Sequence, residues 1–265
     1  MEDCRQNLEK EVSLMKIGIM TYHFCSNYGA VLQAYALKRF LEARGHHVEM
    51  VDYRPPNDSG ALGHNLRLLL QEGYIRLMNR YSSFRLNGKF ADFRRTNLSL
   101  SSMRYNSLEE LKRACPEYDA YICGSDQIWN PHGQQFHEPY FLTFVPEGRR
   151  KFSYAASFGT PVLEERFRAP LQKYLQGFSG ISVRENSGVD LIRDFAGKHS
   201  IQVIDPTLLH DDYSELYKNK HYPANYLLVY RLQQSAPLTR NLTRLIRHVA
   251  LELNLPVYSI SPQRF

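Results

Sequence analysis

Strand-like and helix-like segments alternate along this chain, and this alternation restricts the fold more than any other feature. Residues 17–22 form an apolar run typical of a buried strand. A helical stretch follows at residues 30–43, with Gly45 as its stop, and residues 47–53 then alternate like a second strand. Strands that alternate with helices favour a parallel sheet covered by helices. The sequence therefore predicts an α/β fold with a mainly parallel sheet.

The same pattern continues to the last residues. Further strands are predicted at residues 118–123, 151–156, 180–183, 201–204, 226–230 and 257–260, and further helices at 66–80, 84–95, 108–114, 163–175, 186–195 and 238–253. Charged and tyrosine-rich sequence between residues 210 and 224 separates two patterned regions. We therefore expect an N-terminal lobe over residues 16–215 and the start of a second lobe over 224–265. Residues 1–15 mix charged and polar groups and are expected to be a disordered or non-native extension.

One polar loop follows a predicted buried strand at the place where open α/β sheets bind their ligands. The loop, residues 124–131, contains Ser125, Asp126, Gln127 and the only tryptophan of the chain, Trp129. An indole beside a carboxylate is expected in a sugar-binding loop, where the indole stacks on the sugar ring. The alternative is that Trp129 anchors the loop to the core while Asp126 caps the turn. The residues alone leave both interpretations open.

Charge and composition restrict the partners. The formal net charge is +6, but the arginines are scattered over predicted helices, whereas a nucleic-acid binder would show a basic stripe with interleaved aromatic residues. We expect no nucleic-acid partner, and attraction instead to anionic small molecules or to an anionic membrane face. No apolar run approaches the length of a membrane span. The four cysteines form no Cys-x-x-Cys pair, which favours reduced thiols in a cytoplasmic protein.

Four motifs together resemble the polysaccharide pyruvyl transferase family. They are NYGAVLQAYAL at residues 27–37, GSDQIWN at 124–130, SVRE at 182–185 and DPTLL at 205–209, in the family's order and at compatible separations. The resemblance covers roughly residues 16–230. It implies an enzyme that moves the pyruvyl group of phosphoenolpyruvate onto two hydroxyls of a sugar, giving a cyclic ketal. It also implies Rossmann-like lobes, similar to those of the two-lobed GT-B-type glycosyltransferases.

The resemblance has one departure, at the carboxyl end. The family usually continues through a second lobe with a Ser-Phe-His-Gly-like motif, which this sequence lacks. A single strand–helix–strand unit also cannot cover both faces of a parallel sheet. We therefore expect an incomplete second lobe. The alternatives are a GT-B-like glycosyltransferase that uses a nucleotide sugar, and an inactive fragment of the pyruvyl transferase family.

The predicted donor site combines Arg184 with the start of the first long helix. Arg184 lies where a strand ends and a helix begins, and its planar guanidinium suits a phosphate or a carboxylate. The alternative pairs Arg184 with Glu185 as a structural ion pair. Asn27, Tyr28 and Gly29 open the first long helix, where free N–H groups and a glycine let a ligand approach. The competing interpretation is that Asn27 only caps that helix.

The predicted acceptor site is the central loop, with Asp126 as the catalytic residue that recognises an acceptor hydroxyl or acts as general base. Its acceptor-binding residues are Gly124, Ser125, Asp126, Gln127 and Trp129. Phosphoenolpyruvate would be the donor substrate, so no cofactor is expected. No metal is expected either, because the pair at residues 211–212 is better explained as a helix cap. The expected acceptor is a sugar or lipid-linked oligosaccharide, in the cytoplasm or peripherally at the inner membrane face.

Overall fold

The computed structural model describes residues 14–55, 88–131, 135–217, 223–230 and 236–260. The predictions for most of residues 1–15 and for a helix at 66–80 lie outside these ranges. The chain divides into two compact units, which are residues up to 61 together with 90–211, and residues 62–89 together with 212–265. The predicted lobe limits of 16–215 and 224–265 stay predictions.

The first unit contains a five-stranded parallel sheet in the order β3-β2-β1-β4-β5. Its strands are β1 (Lys16–Met20), β2 (His47–Tyr53), β3 (Leu100–Tyr105), β4 (Ala120–Cys123) and β5 (Arg150–Ser153). This arrangement confirms the predicted α/β, Rossmann-like lobe. The strand order reverses between β1 and β4, and such a reversal is the switch point at which open α/β sheets bind ligands.

A second parallel pair extends the arrangement beyond β5. It consists of β6 (Ser182–Val183) and β7 (Ile201–Gln202). Two isolated parallel bridges, Phe152 to Gly180 and Ala156 to Val183, join this pair to the chain in and after β5. The carboxyl ends of β4, β5 and β6 therefore lie side by side.

The helices of the first unit are α1 (Tyr28–Glu42), α2 (88–97), α3 (Leu108–Arg113), α4 (Arg168–Leu175) and α5 (Asn186–Leu191). Short 3-10 turns occur at Glu138–Phe141, Glu165–Phe167, Pro206–Leu208 and Ser214–Leu216, and a π-helical turn at Ile192–Ala196 follows α5. The predicted helices at 163–175 and 186–195 are thus shorter than expected. In each case part of the predicted span winds with a different hydrogen-bond spacing, which the apolar pattern cannot distinguish.

Burial explains the central strands. Ile17, Ile19 and Met20 of β1 are at most 2% exposed, as expected for a strand covered on both faces. Gly18 lies against the ring of Tyr118, and a Cβ there would come within 2.4 Å of the ring carbon Cδ2. Only glycine fits at this position without displacing the tyrosine.

Strand β3 was not predicted from the sequence. It is polar, with Ser101, Ser102 and Arg104 in its six residues, and much of it is exposed. It pairs with a single neighbour at the edge of the sheet, so it does not need the apolar residues that mark an interior strand. Its register sets Arg104 opposite Asp52 of β2.

The described part of the second unit includes one strand–helix–strand element. It contains β8 (Leu227–Tyr230), α6 (Ala236–Glu252) and β9 (Val257–Ile260), and its strands pair in parallel. Leu228, Tyr230 and Leu251 are each more than half exposed. Among the described residues of the whole chain, no helix is both long and apolar enough to span a bilayer.

Candidate functional site

Residues that follow β1 and β4 contact one another at the switch point. The Thr21 hydroxyl donates to the carbonyl of Ser125 (2.8 Å) and accepts from Nε2 of Gln33 (2.9 Å). Gly124 packs so closely that an added Cβ would lie 3.2 Å from Cβ of Thr21. Gly124 and Ser125 are buried, and their predicted contact with an acceptor stays a prediction.

Four charged residues gather after β4, β6 and β7, and we call them the acidic cluster: Asp126, Arg184, Glu185 and Asp205. The guanidinium of Arg184 donates from Nε to Oε1 of Glu185 (2.9 Å) and from Nη1 to Oδ2 of Asp205 (3.3 Å). Asp126 is close enough for the charges of Arg184 and Asp205 to affect its pKa. Three carboxyl groups therefore surround one guanidinium, and Arg184 and Asp126 lie close together after β6 and β4.

Asp126 has an unusual backbone and an unusual carboxyl group. Its φ of 87° is in the left-handed region, which aspartate tolerates better than most residues and which often occurs at functional sites. Its carbonyl accepts from the N–H of Ser157, and its Oδ1 accepts from the N–H of Gln127 (2.8 Å). Burial raises the pKa of Asp126 above the usual value, and nearby Asp205 adds to this effect, while the Gln127 N–H and Arg184 oppose it. The carboxyl group is therefore biased toward holding a proton.

Asp205, which sequence reasoning quoted only as part of a motif, has the opposite bias. Its Oδ2 accepts from the hydroxyl of Ser125 (2.9 Å), and its Oδ1 accepts from the N–H (3.0 Å) and hydroxyl (2.8 Å) of Thr207. Burial acts to raise the pKa of Asp205, but these hydrogen bonds and the charge of Arg184 hold it below the usual value. The Asp-Pro-Thr sequence was the available signal, because it favours a turn capped by the aspartate.

Glu185 completes the acidic cluster. Its Oε1 accepts from the Ser157 hydroxyl (2.9 Å) as well as from Nε of Arg184. The ion pair with Glu185, which was the alternative interpretation of Arg184, is therefore present. The role of Arg184 as a donor ligand stays a prediction.

Trp129 is enclosed by the core, so the prediction that it stacks on a sugar is wrong. Its side chain is fully buried and lies parallel to Phe141, with ring centroids 5.0 Å apart and planes 7° apart. Its Nε1–H donates to the carbonyl of Tyr140 (3.0 Å). A covered indole has no free face for a sugar, and its only polar atom already has a partner. Trp129 anchors the loop, whereas Gln127 is exposed.

The start of α1 is arranged as a helix cap. Oδ1 of Asn27 accepts from the N–H of Ala30 (3.2 Å), as the structural alternative predicted. Tyr28 is half exposed, with its ring 5.0 Å from that of Phe90, and Gly29 is exposed. The donor-binding role of Asn27, Tyr28 and Gly29 stays a prediction.

A second charged group at the same sheet edge was missed by sequence reasoning. We call it the basic cluster: His23, Asp52, Arg54, Arg94 and Arg104. Arg54 donates to both oxygens of Asp52, from Nε (2.6 Å) and from Nη2 (3.1 Å). Nε of Arg104 donates to Oδ2 of Asp52 (3.3 Å). Arg94 is near enough for the charges of Arg54 and Asp52 to affect its pKa. Three guanidinium groups therefore surround one carboxylate.

His23 and Asp52 form the buried centre of the basic cluster. The His23 ring is fully buried, with Nδ1 3.1 Å from the carbonyl of Thr21 and Nε2 3.1 Å from Oδ1 of Asp52. A ring nitrogen that carries hydrogen donates to the oxygen beside it. Burial alone would raise the pKa of Asp52, but hydrogen bonds from His23 and Arg54 hold it well below its usual range. This carboxylate therefore stays ionised.

Hydrogen bonds connect the two clusters across the switch point. Thr21 accepts at its carbonyl from His23, which contacts Asp52, and its hydroxyl donates to Ser125. The Ser125 side chain then donates to Asp205 of the acidic cluster. Buried and hydrogen-bonded residues of this kind hold both clusters in fixed positions on the sheet edge.

Asp212 lies two residues before the 3-10 turn Ser214–Leu216, whose N-cap position is occupied by Tyr213, so the predicted helix cap is not formed as expected. It accepts from the N–H and the hydroxyl of Ser214, each at 2.7 Å. In the part of the chain that the structure describes, no three His, Cys, Asp or Glu side chains are placed to hold a metal ion.

A parallel sheet with charged side chains collected at its switch point defines the class of α/β proteins whose small polar ligands bind at the carboxyl edge of the sheet. A family model described as polysaccharide pyruvyl transferase matches residues 27–260. The chain therefore belongs to the polysaccharide pyruvyl transferase family and is a transferase whose family implies a sugar or polysaccharide acceptor. The family predicted from the four motifs is confirmed. No match was found among curated proteins.

Proposed function

We propose that this transferase moves the pyruvyl group of phosphoenolpyruvate onto two hydroxyls of a sugar to form a cyclic ketal. In the balanced reaction both carbon–oxygen bonds of the ketal form at C2 of the donor, and the bond from C2 to the phosphate oxygen breaks. One hydroxyl proton ends on the donor methylene carbon, which becomes a methyl group, and the other ends on the released phosphate. The site must therefore supply a proton and accept one.

The observation that carries this proposal is the carboxyl group of Asp126. Burial raises its pKa, so the group keeps its proton to a higher pH than an ordinary aspartate does, and we expect it to protonate the methylene carbon. Once ionised, the same group can accept a proton from an acceptor hydroxyl. The neighbouring carboxyl group of Asp205 has a lowered pKa, so it loses its proton at a lower pH than Asp126 does. Two carboxyl groups with opposite shifts suit a reaction that needs an acid and an ionised partner.

The acidic cluster also suits a hydroxyl-bearing acceptor. Carboxylate and amide oxygens accept hydrogen bonds from sugar hydroxyls, and the half-buried Asp126 and exposed Gln127, which follow β4, carry such oxygens. With Trp129 committed to the core, acceptor recognition in this loop depends on these polar groups. We expect Asp126 to contact the hydroxyl that reacts.

We place the reaction in the cytoplasm, with a lipid-linked or nucleotide-linked sugar as acceptor at the inner membrane face. The net charge of +6 supports weak attraction to an anionic membrane. Sedimentation with vesicles tests this placement. Binding to vesicles of mixed neutral and anionic lipid, reversed by salt, is expected, and equal binding to purely neutral vesicles would contradict it.

The proposed reaction is tested by incubating the full chain with phosphoenolpyruvate and a panel of oligosaccharides. Release of phosphate together with an acceptor that carries a pyruvyl ketal, detected by mass spectrometry and NMR, is the expected result. A parallel incubation with nucleotide sugars tests the glycosyltransferase alternative. Consumption of a nucleotide sugar with phosphoenolpyruvate left intact would overturn the proposal.

A further inference from the structure

Among the residues that the structure describes, the basic cluster has more positive charge than its one carboxylate neutralises. Asp52 uses both oxygens on its neighbours, because Oδ1 accepts from His23 and Arg54, and Oδ2 accepts from Arg54 and Arg104. One negative charge is thus surrounded by three guanidinium groups. The acidic cluster has the reverse composition, one guanidinium among three carboxyl groups.

The positive groups of the basic cluster reach solvent, while its carboxylate does not. The side chain of Asp52 is 7% exposed, whereas those of Arg54 and Arg104 are 29% and 57% exposed. Among the described contacts, Arg104 donates to Asp52 from Nε, so that hydrogen bond does not use its two terminal nitrogens. A buried carboxylate that holds partly exposed arginines fixes the positions of their guanidinium groups, which can then bind an anion from solvent.

Arg94 adds a third cation at a cost in electrostatic repulsion. Its Nη1 donates to the carbonyl of Cys25 (3.4 Å), in the loop that follows β1. Burial and the charge of Arg54 both lower the pKa of Arg94. Like charges that are held close together destabilise one another, and a bound anion relieves that repulsion. The same argument does not apply to Arg184, whose guanidinium pairs with Glu185 and Asp205.

We infer that Arg54, Arg94 and Arg104 bind the phosphate group of a small anionic substrate, which is phosphoenolpyruvate if the proposed function holds. The basic cluster lies at the carboxyl ends of β1, β2 and β3, with Arg94 contributed by α2, and the acidic cluster lies across the switch point after β4, β6 and β7. The donor phosphate would thus be held on one side, and proton transfer would occur on the other. This assignment differs from the sequence prediction, which gave the donor to Arg184.

The test is calorimetric titration of the full chain with phosphoenolpyruvate, inorganic phosphate and uridine diphosphate. The variants are Arg94→Gln and Arg104→Gln. The matched control is Arg95→Gln, which changes an arginine on the same helix as Arg94. Arg95 is 80% exposed and pairs with Asp92 outside the cluster. Each cluster variant is expected to weaken phosphoenolpyruvate binding at least about tenfold, because a charge-assisted hydrogen bond is lost. The control is expected to bind like the wild type.

The acceptor sugar, if it is linked to a nucleotide or lipid carrier, also presents phosphate groups. Uridine diphosphate represents that carrier and tests whether the arginines bind the acceptor instead of the donor. If it binds through Arg94 and Arg104 while phosphoenolpyruvate does not, the donor assignment is overturned. If no anion is weakened by either cluster variant, the whole site is overturned. Circular dichroism and thermal melting of each variant establish that a loss of binding does not reflect unfolding.

Failure of the site and failure of the proposed function give different results. If the wild type forms a ketal but the Arg94→Gln and Arg104→Gln variants keep its KM for phosphoenolpyruvate, the site is wrong and the function stands. If phosphoenolpyruvate binds through these arginines but no ketal forms with any acceptor, the site stands and the function is wrong.

Discussion

Asp52 of the basic cluster and Asp126 of the acidic cluster both lie at the carboxyl ends of strands of the five-stranded sheet, yet their pKa values shift in opposite directions. Asp52 accepts hydrogen bonds from His23, Arg54 and Arg104, and its pKa lies well below the usual range. Asp126 is partly buried beside another carboxylate, and its pKa lies above the usual value. Since both residues follow or end a parallel strand, the difference comes from their neighbours and not from their place in the fold.

The difference suggests a division of labour across the switch point. A permanently ionised aspartate organises arginines and does not take part in proton transfer near neutral pH. An aspartate with a raised pKa keeps its proton to a higher pH than an ordinary aspartate does, which suits it better to proton transfer. On this account the basic cluster determines donor affinity and much of the local stability, and the acidic cluster determines the rate of the chemical step.

The largest effect is expected from Asp126→Asn. Asparagine tolerates a positive φ, so the loop is expected to keep its shape while the exchangeable proton is lost. We expect kcat for ketal formation to fall by at least about 100-fold, with the affinity for phosphoenolpyruvate changed little. In the wild type, activity that depends on protonated Asp126 should decline as pH rises through its pKa. Steady-state kinetics over a pH series measures both effects.

Asp190→Asn provides the control, since Asp190 is an exposed aspartate that pairs with Arg193. It should leave kcat unchanged. Full activity of the Asp126→Asn variant would contradict the acid–base role of Asp126 and the proposed difference in function between the clusters.

The largest effect on stability is expected from Asp52→Ala. This change leaves His23 and Arg54 without their shared carboxylate in a buried site, which should lower the free energy of unfolding by about 3–5 kcal/mol. Asp92→Ala breaks an exposed aspartate–arginine pair and should cost at most about 1 kcal/mol. Urea denaturation at neutral pH compares the two variants, and equal losses would argue against a structural role for Asp52.

The stability contributed by Asp52 should also depend on pH. Its pKa is lower in the folded chain than in the unfolded chain, so the folded chain binds fewer protons. The contribution is therefore complete above about pH 4 and is lost as pH falls below that value. Asp52→Asn should show a weaker loss of stability than the wild type between neutral pH and about pH 3. Identical pH profiles for the two proteins would show that Asp52 is not the titrating group.

A smaller effect is expected from Trp129→Phe, which tests whether the loop next to Asp126 belongs to the core. The variant loses the hydrogen bond to the carbonyl of Tyr140 and part of the stack on Phe141. We expect a loss of about 1–3 kcal/mol in the free energy of unfolding. KM for the acceptor should be unchanged. If Trp129 instead stacked on the sugar, the substitution would raise this KM strongly and cause little loss of stability.

Much of the fold was predictable because the interior strands carry their own signal. Strand β2 was predicted with its observed limits, and β9 likewise, since apolar residues alternate there and turn residues follow. Edge strand β3 was missed, because a polar strand with one neighbour has no such pattern. Missing β3 also concealed the basic cluster, because only the pairing of β3 with β2 brings Arg104 to Asp52.

The candidate site was predictable to the extent that its residues follow strands in recognisable motifs. Arg184 and Asp126 were placed at one edge for that reason. The burial of Trp129 could not be read from its neighbours in sequence, because Phe141 and Phe158 cover it from later parts of the chain. His23 and Asp52 are 29 residues apart and pair only after β1 and β2 align. Contacts of this kind depend on register, which a single sequence does not state.

The division of labour is tested most directly by measuring kcat and KM for phosphoenolpyruvate in Asp126→Asn and Arg94→Gln under identical conditions. The account predicts a large fall in kcat with KM nearly unchanged for the first variant, and a raised KM with kcat nearly unchanged for the second. If both variants lower kcat to the same degree and leave KM alone, the two clusters do not have separate roles.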